Sequence, residues 1–190
     1  NFLKRVFQKL LINFTWWMNR KDIKGNNLFE GGFLGLDNIG VFNRSSSLGS
    51  NMHLEQADGT SWMAMYALNM MDMALEIAIH DKAFEDTATK FFEQFVLIAE
   101  ALNLHGLWNE EDKFFYDTLS IAGSEPLQLR IQSIVGLTTL FAVSNIQKKS
   151  LEKLDDFKKR MNWFEHYRKR NGLFWPNEDK SDSDTILLSL

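Results

Sequence analysis

A chain of 190 residues with 45% hydrophobic composition carries enough apolar material for the core of one ordinary domain. Its formal net charge of -4 excludes a general attraction to nucleic acid or to an anionic membrane. Zero cysteines exclude disulfides and thiolate metal sites, and suit a reducing compartment such as the cytoplasm.

The first predicted element is a one-sided helix. Phe2, Leu3, Val6, Phe7, Leu10, Leu11, Phe14, Trp17 and Met18 recur at helical spacing, while Lys4, Arg5, Gln8 and Lys9 take the opposite face. Trp16, Trp17, Asn19, Arg20 and Asp22 end it. Two adjacent tryptophans cannot share one helix face, so one is expected to pack while the other can reach a ligand.

From about Lys21 to Gly59 the pattern is irregular and holds seven of the eleven glycines. A loop of this length inside a domain is usually functional. Its central stretch, FEGGFLGLDNIGVFNRS, sets Gly31, Gly32, Gly35 and Gly40 among Phe, Leu, Ile and Val, with Asp37 in the middle. Phe29, Phe33, Leu34, Leu36 and Phe42 are apolar anchors, and the glycines allow a close backbone approach to a ligand. A carboxyl in such partly apolar surroundings has a raised pKa and can serve as a general acid. An Asx turn with the following backbone is the structural alternative for Asp37.

A second helix is predicted over about Thr60 to His80. Trp62, Met63, Met65, Tyr66, Leu68, Met70, Met71, Met73, Leu75, Ile77 and Ile79 surround it, leaving Asn69, Asp72, Glu76 and His80 as a narrow polar stripe. Such a helix is buried on nearly all sides, and its methionines read as adaptable core. Before it stand Gln56 and Asp58. Asp58 reads equally as a helix cap or as a ligand-binding group, and Trp62 as core or as a flat stacking surface.

A third, one-sided helix spans about Ala83 to Leu104, with Glu85, Asp86 and Glu93 among its outward residues. LWNEEDKFFYD, Leu107 to Asp117, reads as two short extended pieces around a bend at Asn109 to Lys113. Glu110, Glu111 and Asp112 there form a solvated acidic turn. Ile131 to Val143 is nearly all apolar and predicts another buried helix. Leu151, Leu154, Phe157, Met161 and Phe164 line a charged outer helix ending near Asn171-Gly172. The final run, Thr185 to Leu190, is apolar with no evident packing partner, and periodicity is already under way at Phe2. Both ends suggest a chain cut from a longer one.

Alternation of outer and buried helices predicts an all-α fold: part of an α/α toroid over residues 1–190, with a long glycine-rich loop and a short hairpin. An α-solenoid competes, but no repeated unit is present. His53, His80, His105 and His166 lack metal-ligand spacing, so neither a metal nor another cofactor is expected. Asn13-Phe14-Thr15 and Asn43-Arg44-Ser45 match the glycosylation pattern by chance. No apolar span is long enough to cross a membrane.

FEGGFLGLDNIGVFNRS followed by HLEQADGTSWMAMYALNMM resembles the C-terminal catalytic domain of glycoside hydrolase family 63, the processing α-glucosidases and their relatives. The likeness extends through NFTWWMNRKDIKGNNLFEGG, LWNEEDKFFYD and the IVGL segment. It implies a six-hairpin (α/α)6 barrel and inverting hydrolysis of an α-glycosidic bond in α-glucosides or oligosaccharides. Inversion needs one carboxyl to protonate the leaving oxygen and another to activate water. Asp37, in Gly35-Leu36-Asp37 with Arg44 downstream, matches the acid, and no position matches the base, which is expected outside the chain. Glu30 is not assigned that role. Phe33, Gly35, Arg44, Gln56, Asp58, Trp62 and Trp17 are the expected substrate-binding residues. The expected partners are a carbohydrate and the rest of the barrel. The alternative is a non-catalytic helical module that binds carbohydrate or protein.

Overall fold

Helix α2, Ala57–Ala78, is the element around which the protein is built. Met63, Ala64, Ala67, Met70, Met71, Ala74 and Ala78 have no solvent exposure. Only Asn69, Asp72, Glu76 and the following His80 emerge, the stripe expected from the sequence. Small alanines along α2 let α3, Phe84–Leu104, pack closely along it. Helix α1, Phe2–Met18, covers another side through Phe7 and Phe14, which meet Phe84, Phe91 and Tyr66 edge-on. The computed structural model describes residues 2–22, 24–30, 36, 38–46, 48–176 and 183–190.

The all-α toroid is not the architecture. The described residues also form three small antiparallel sheets. Strand β1, Met52–Glu55, pairs with β4, Asp117–Ile121, which pairs with β5, Leu127–Leu129. Strands β2, Trp108–Asn109, and β3, Phe114–Phe115, make the expected short hairpin. Strands β6, Val143–Gln147, and β7, Thr185–Ser189, form the third sheet.

The helix expected over residues 131–143 fails for a local reason. Its helical part is one turn, α4, Ile134–Leu137, continued by a 3-10 turn at Thr138–Phe141. Thr138 and Thr139 donate their hydroxyls back to the carbonyls of Val135 and Gly136, and Val143 enters β6. β-Branched residues in series favour that outcome over a long helix. Nor is the segment buried on all sides: Val135, Gly136, Thr138 and Ala142 are buried, but Ile134, Leu137, Leu140 and Phe141 are exposed. The apolar C-terminal run is also corrected. It pairs with β6, Ile186 opposite Ile146, and buries Leu188.

Gly136 is where α4 meets the hairpin. A Cβ there would lie 2.2 Å from Phe114 Cε1 and 2.3 Å from the Phe115 carbonyl oxygen. The backbone oxygen cannot rotate away. Gly136→Ala is therefore expected to cost about 1–3 kcal/mol by overpacking, read as a lowered melting temperature.

Helix α6, Asp155–Arg170, follows the short turn α5, Lys148–Leu151, and docks on α3. It ends in a Schellman arrangement: Gly172 at φ +65°, its N–H on Lys169 O and Leu173 N–H on Arg168 O. At its start Glu85, assigned to the outer face by the sequence, is buried. Its Oε2 accepts from Asp156 N and Phe157 N, each at 2.9 Å, while Lys82 lies 3.0 Å from Oε1. Burial opposes its charge, but the Phe157 N–H, Lys82 and the Asp156 N–H outweigh burial and lower its pKa. A lowered folded pKa gives stability that is present above the unfolded value, about 4.3, and is lost as pH falls through the folded one. The destabilisation caused by Glu85→Gln should therefore be largest at neutral pH. It should shrink below about pH 4, as seen in urea midpoints at the two pH values.

Candidate functional site

The irregular region is tied to the start of α2 by one guanidinium. Arg44 is buried between two carboxylates from distant parts of the chain. Its Nε donates to Asp117 Oδ2 at 2.7 Å and its Nη1 to Asp58 Oδ2 at 3.1 Å, while Nη2 reaches Asp58 Oδ1. Nη1 also donates to the carbonyl oxygen of Leu36 at 3.1 Å. Burial opposes the Arg44 charge, but Asp58 and Asp117 outweigh it and raise the pKa. The fork geometry of arginine suits this bridging of two carboxylates.

The surrounding backbone is held in the same way. Gln56 Nε2 donates to Arg44 O at 2.7 Å, and Asp117 Oδ1 accepts from Ala57 N at 2.9 Å. Asp117 thereby satisfies an orphan N–H at the N-terminus of α2. Asp58 lies inside the first turn, and the residue in the cap position is Gln56. Thr60 Oγ1 accepts from Phe29 N at 3.0 Å and donates to Gln56 O at 2.7 Å. Phe29, Arg44, Asp117 and the start of α2 from Gln56 to Thr60 thus form one bonded unit.

A cleft of ≈ 420 Å³ opens beside this unit, lined by Arg44, Gln56, Arg20, Asp22, Glu30 and His53 among others. Of the residues singled out in the sequence, Arg44, Gln56 and Asp58 come together and bond to one another. Trp62 is half-buried a little further along α2. Trp17 packs partly buried against the core, edge-on to Trp16 at 4.7 Å. The exposed Trp16 carries the Arg20 guanidinium 3.8 Å from its ring centre. Asp37, Phe33 and Gly35 lie outside the described residues.

Sequence reasoning missed Asp117. It stands 73 residues from Arg44, and nothing local marks it as the second carboxylate of the pair. The role of β1 was missed too. His53 and Glu55 alternate along it and line clefts on either side of Asp22. Met52-His53-Leu54-Glu55 does alternate apolar with polar, which is a strand signal. Among the described residues, no group of three or more His, Cys, Asp or Glu side chains could hold a metal.

No protein-family model matches the chain, and no solved structure matches it. The chain is 49% identical over 183 residues to an uncharacterized protein of Saccharomyces cerevisiae, YMR196W, in an alignment covering 88% of this chain. It spans 17% of the length of that relative, which therefore contains a segment similar to nearly all of the fold described above.

Proposed function

We propose that the full protein hydrolyses an α-glycosidic bond with inversion, as family 63 glycoside hydrolases do, with Asp37 as general acid. Residues 1–190 would supply the acid and part of the sugar-binding rim, and the general base would come from elsewhere in the polypeptide. The observation carrying this reading is the Arg44 contact to Leu36 O. A guanidinium locked by two buried carboxylates grips the carbonyl just before Asp37 in the chain. A proton donor must be held within a fraction of an ångström of its acceptor to act in a transition state.

In the proposed reaction Asp37 donates its proton to the glycosidic oxygen as the C–O bond breaks. Water, deprotonated by the base on the opposite face of the ring, adds to the anomeric carbon. The test is a screen of the full-length protein against α-glucosides and oligosaccharides, with products followed by proton NMR. The expected result is release of the β-anomer first. Release of the α-anomer first, or no release from any α-linked substrate, contradicts the proposal.

A further inference from the structure

A second group of acids lies beside the Arg44 unit and takes no part in it. The isolated bridge between Lys21 and Phe29 draws the two flanks of a tight loop together. Within that loop Asp22 N donates to Leu28 O at 2.9 Å, and Leu28 N donates to Asp22 Oδ1 at 3.2 Å. Oδ1 is thereby used. Oδ2 is buried and has no hydrogen-bond partner among the described residues. With 7% exposure, Asp22 is more than nine-tenths buried.

Asp22 lines two clefts, which also share His53. The one of ≈ 420 Å³ contains Glu30, and the other, of ≈ 360 Å³, contains Glu55 and Ser120. Glu30 has His53 Nδ1 at 3.8 Å, and Glu55 Oε1 accepts from Ser120 Oγ at 3.0 Å. Burial raises the Glu30 pKa, His53 opposes the rise, and the charges of Glu55 and Asp22 add to it. Glu55 is raised by burial as well, with the Ser120 bond opposing and Asp22 adding. Nearby cations have other partners: Arg44 with Asp58 and Asp117, Lys21 with Asn27, and Arg20 with the Trp16 ring. Lys24 faces Glu55.

Carboxylates only accept hydrogen bonds. His53 stands by Glu30 and Lys24 faces Glu55, but among the described residues no donor reaches Asp22 Oδ2. We propose that the clefts around Asp22 bind a small molecule through a protonated amine, its N–H groups reaching Asp22 Oδ2 and the Glu30 carboxylate. An ammonium supplies up to three donors and offsets the like charges. A neutral hydroxyl supplies one donor and leaves the charges in place, so a polyol is the less favoured occupant.

The matched pair putrescine and 1,4-butanediol separates the two, since they differ in charge and share a carbon chain. Both are titrated calorimetrically into the full-length protein at physiological ionic strength. Putrescine is expected to bind saturably and at least about tenfold more tightly than the diol. Asp22→Asn keeps the acceptor for Leu28 N and should weaken putrescine about tenfold or more. Glu30→Gln alters a side chain that is 41% exposed, so folding is not at stake, and it should weaken binding several-fold. Equal affinity for the diol, absence of saturable putrescine binding, or putrescine binding unchanged in Glu30→Gln would overturn the proposal. The readout is binding, so it is independent of whether Asp37 performs glycosidic chemistry.

Discussion

Arg44→Met should destabilise the protein by roughly 3–5 kcal/mol, the cost of leaving buried carboxylates without their counter-charge. Methionine fills much of the space of the arginine stem, so packing is nearly conserved and electrostatics dominates the loss. Asp58 and Asp117 would face each other across a buried site, and the Leu36 carbonyl would lose its donor. Arg44→Lys should recover only part of the loss, since one ammonium cannot reach both carboxylates and a carbonyl in fork geometry. Adding Asp58→Asn and Asp117→Asn to Arg44→Met should restore part of the stability, because the repelling charges are gone. Urea unfolding of the full-length protein measures all three. A loss under about 1 kcal/mol for Arg44→Met would place the triad with ordinary surface pairs.

Helices were the legible part of the fold. The methionine- and alanine-rich run of α2 has one periodicity and one narrow polar stripe, and its burial follows from both. The ends of α3 and α6 follow from Gly106 and Gly172, which take φ of +88° and +65° just past each helix. Beyond the β2–β3 hairpin the sheets were not legible, because their partners lie far apart. Pairing of β1 with β4 joins residues more than sixty positions apart, and β6 reaches β7 across the whole of α6. Each strand is short enough to pass for loop, or for helix where apolar residues run on, as at 131–143. A reading built on helix alternation therefore predicted part of an all-α ring, where the described residues mix helices with three small sheets.

The candidate site divides along the same line. Arg44, Gln56 and Asp58 stand out locally, as polar or charged residues beside apolar runs, and the structure joins them. Asp117, Glu55 and the Asp22 oxygen that has no partner among the described residues acquire meaning only from tertiary contact. Glu85 shows the same limit in a structural role. Its spacing assigns it to water, yet α6 arrives to be capped by it.

Asp37→Asn is the second large effect expected, and it bears on activity rather than stability. Asparagine keeps the size and an acceptor oxygen but has no acidic proton to give. Loss of a general acid lowers turnover by about 10²–10⁴-fold. The deficit should depend on the leaving group. A natural α-glucoside, whose departing alkoxide needs protonation, should show all of it, and α-glucosyl fluoride, which needs little help, much less. That difference separates a proton donor from a residue that merely shapes the loop, because a misshapen loop slows both substrates alike. The most direct test is thus kcat/KM of full-length Asp37→Asn against wild type on the best α-glucoside, with the fluoride beside it. A loss of at least about 10²-fold on the glucoside, largely relieved on the fluoride, is the expected result. Unchanged turnover of the glucoside, or an equal loss on both substrates, would contradict the assignment of Asp37 as the acid.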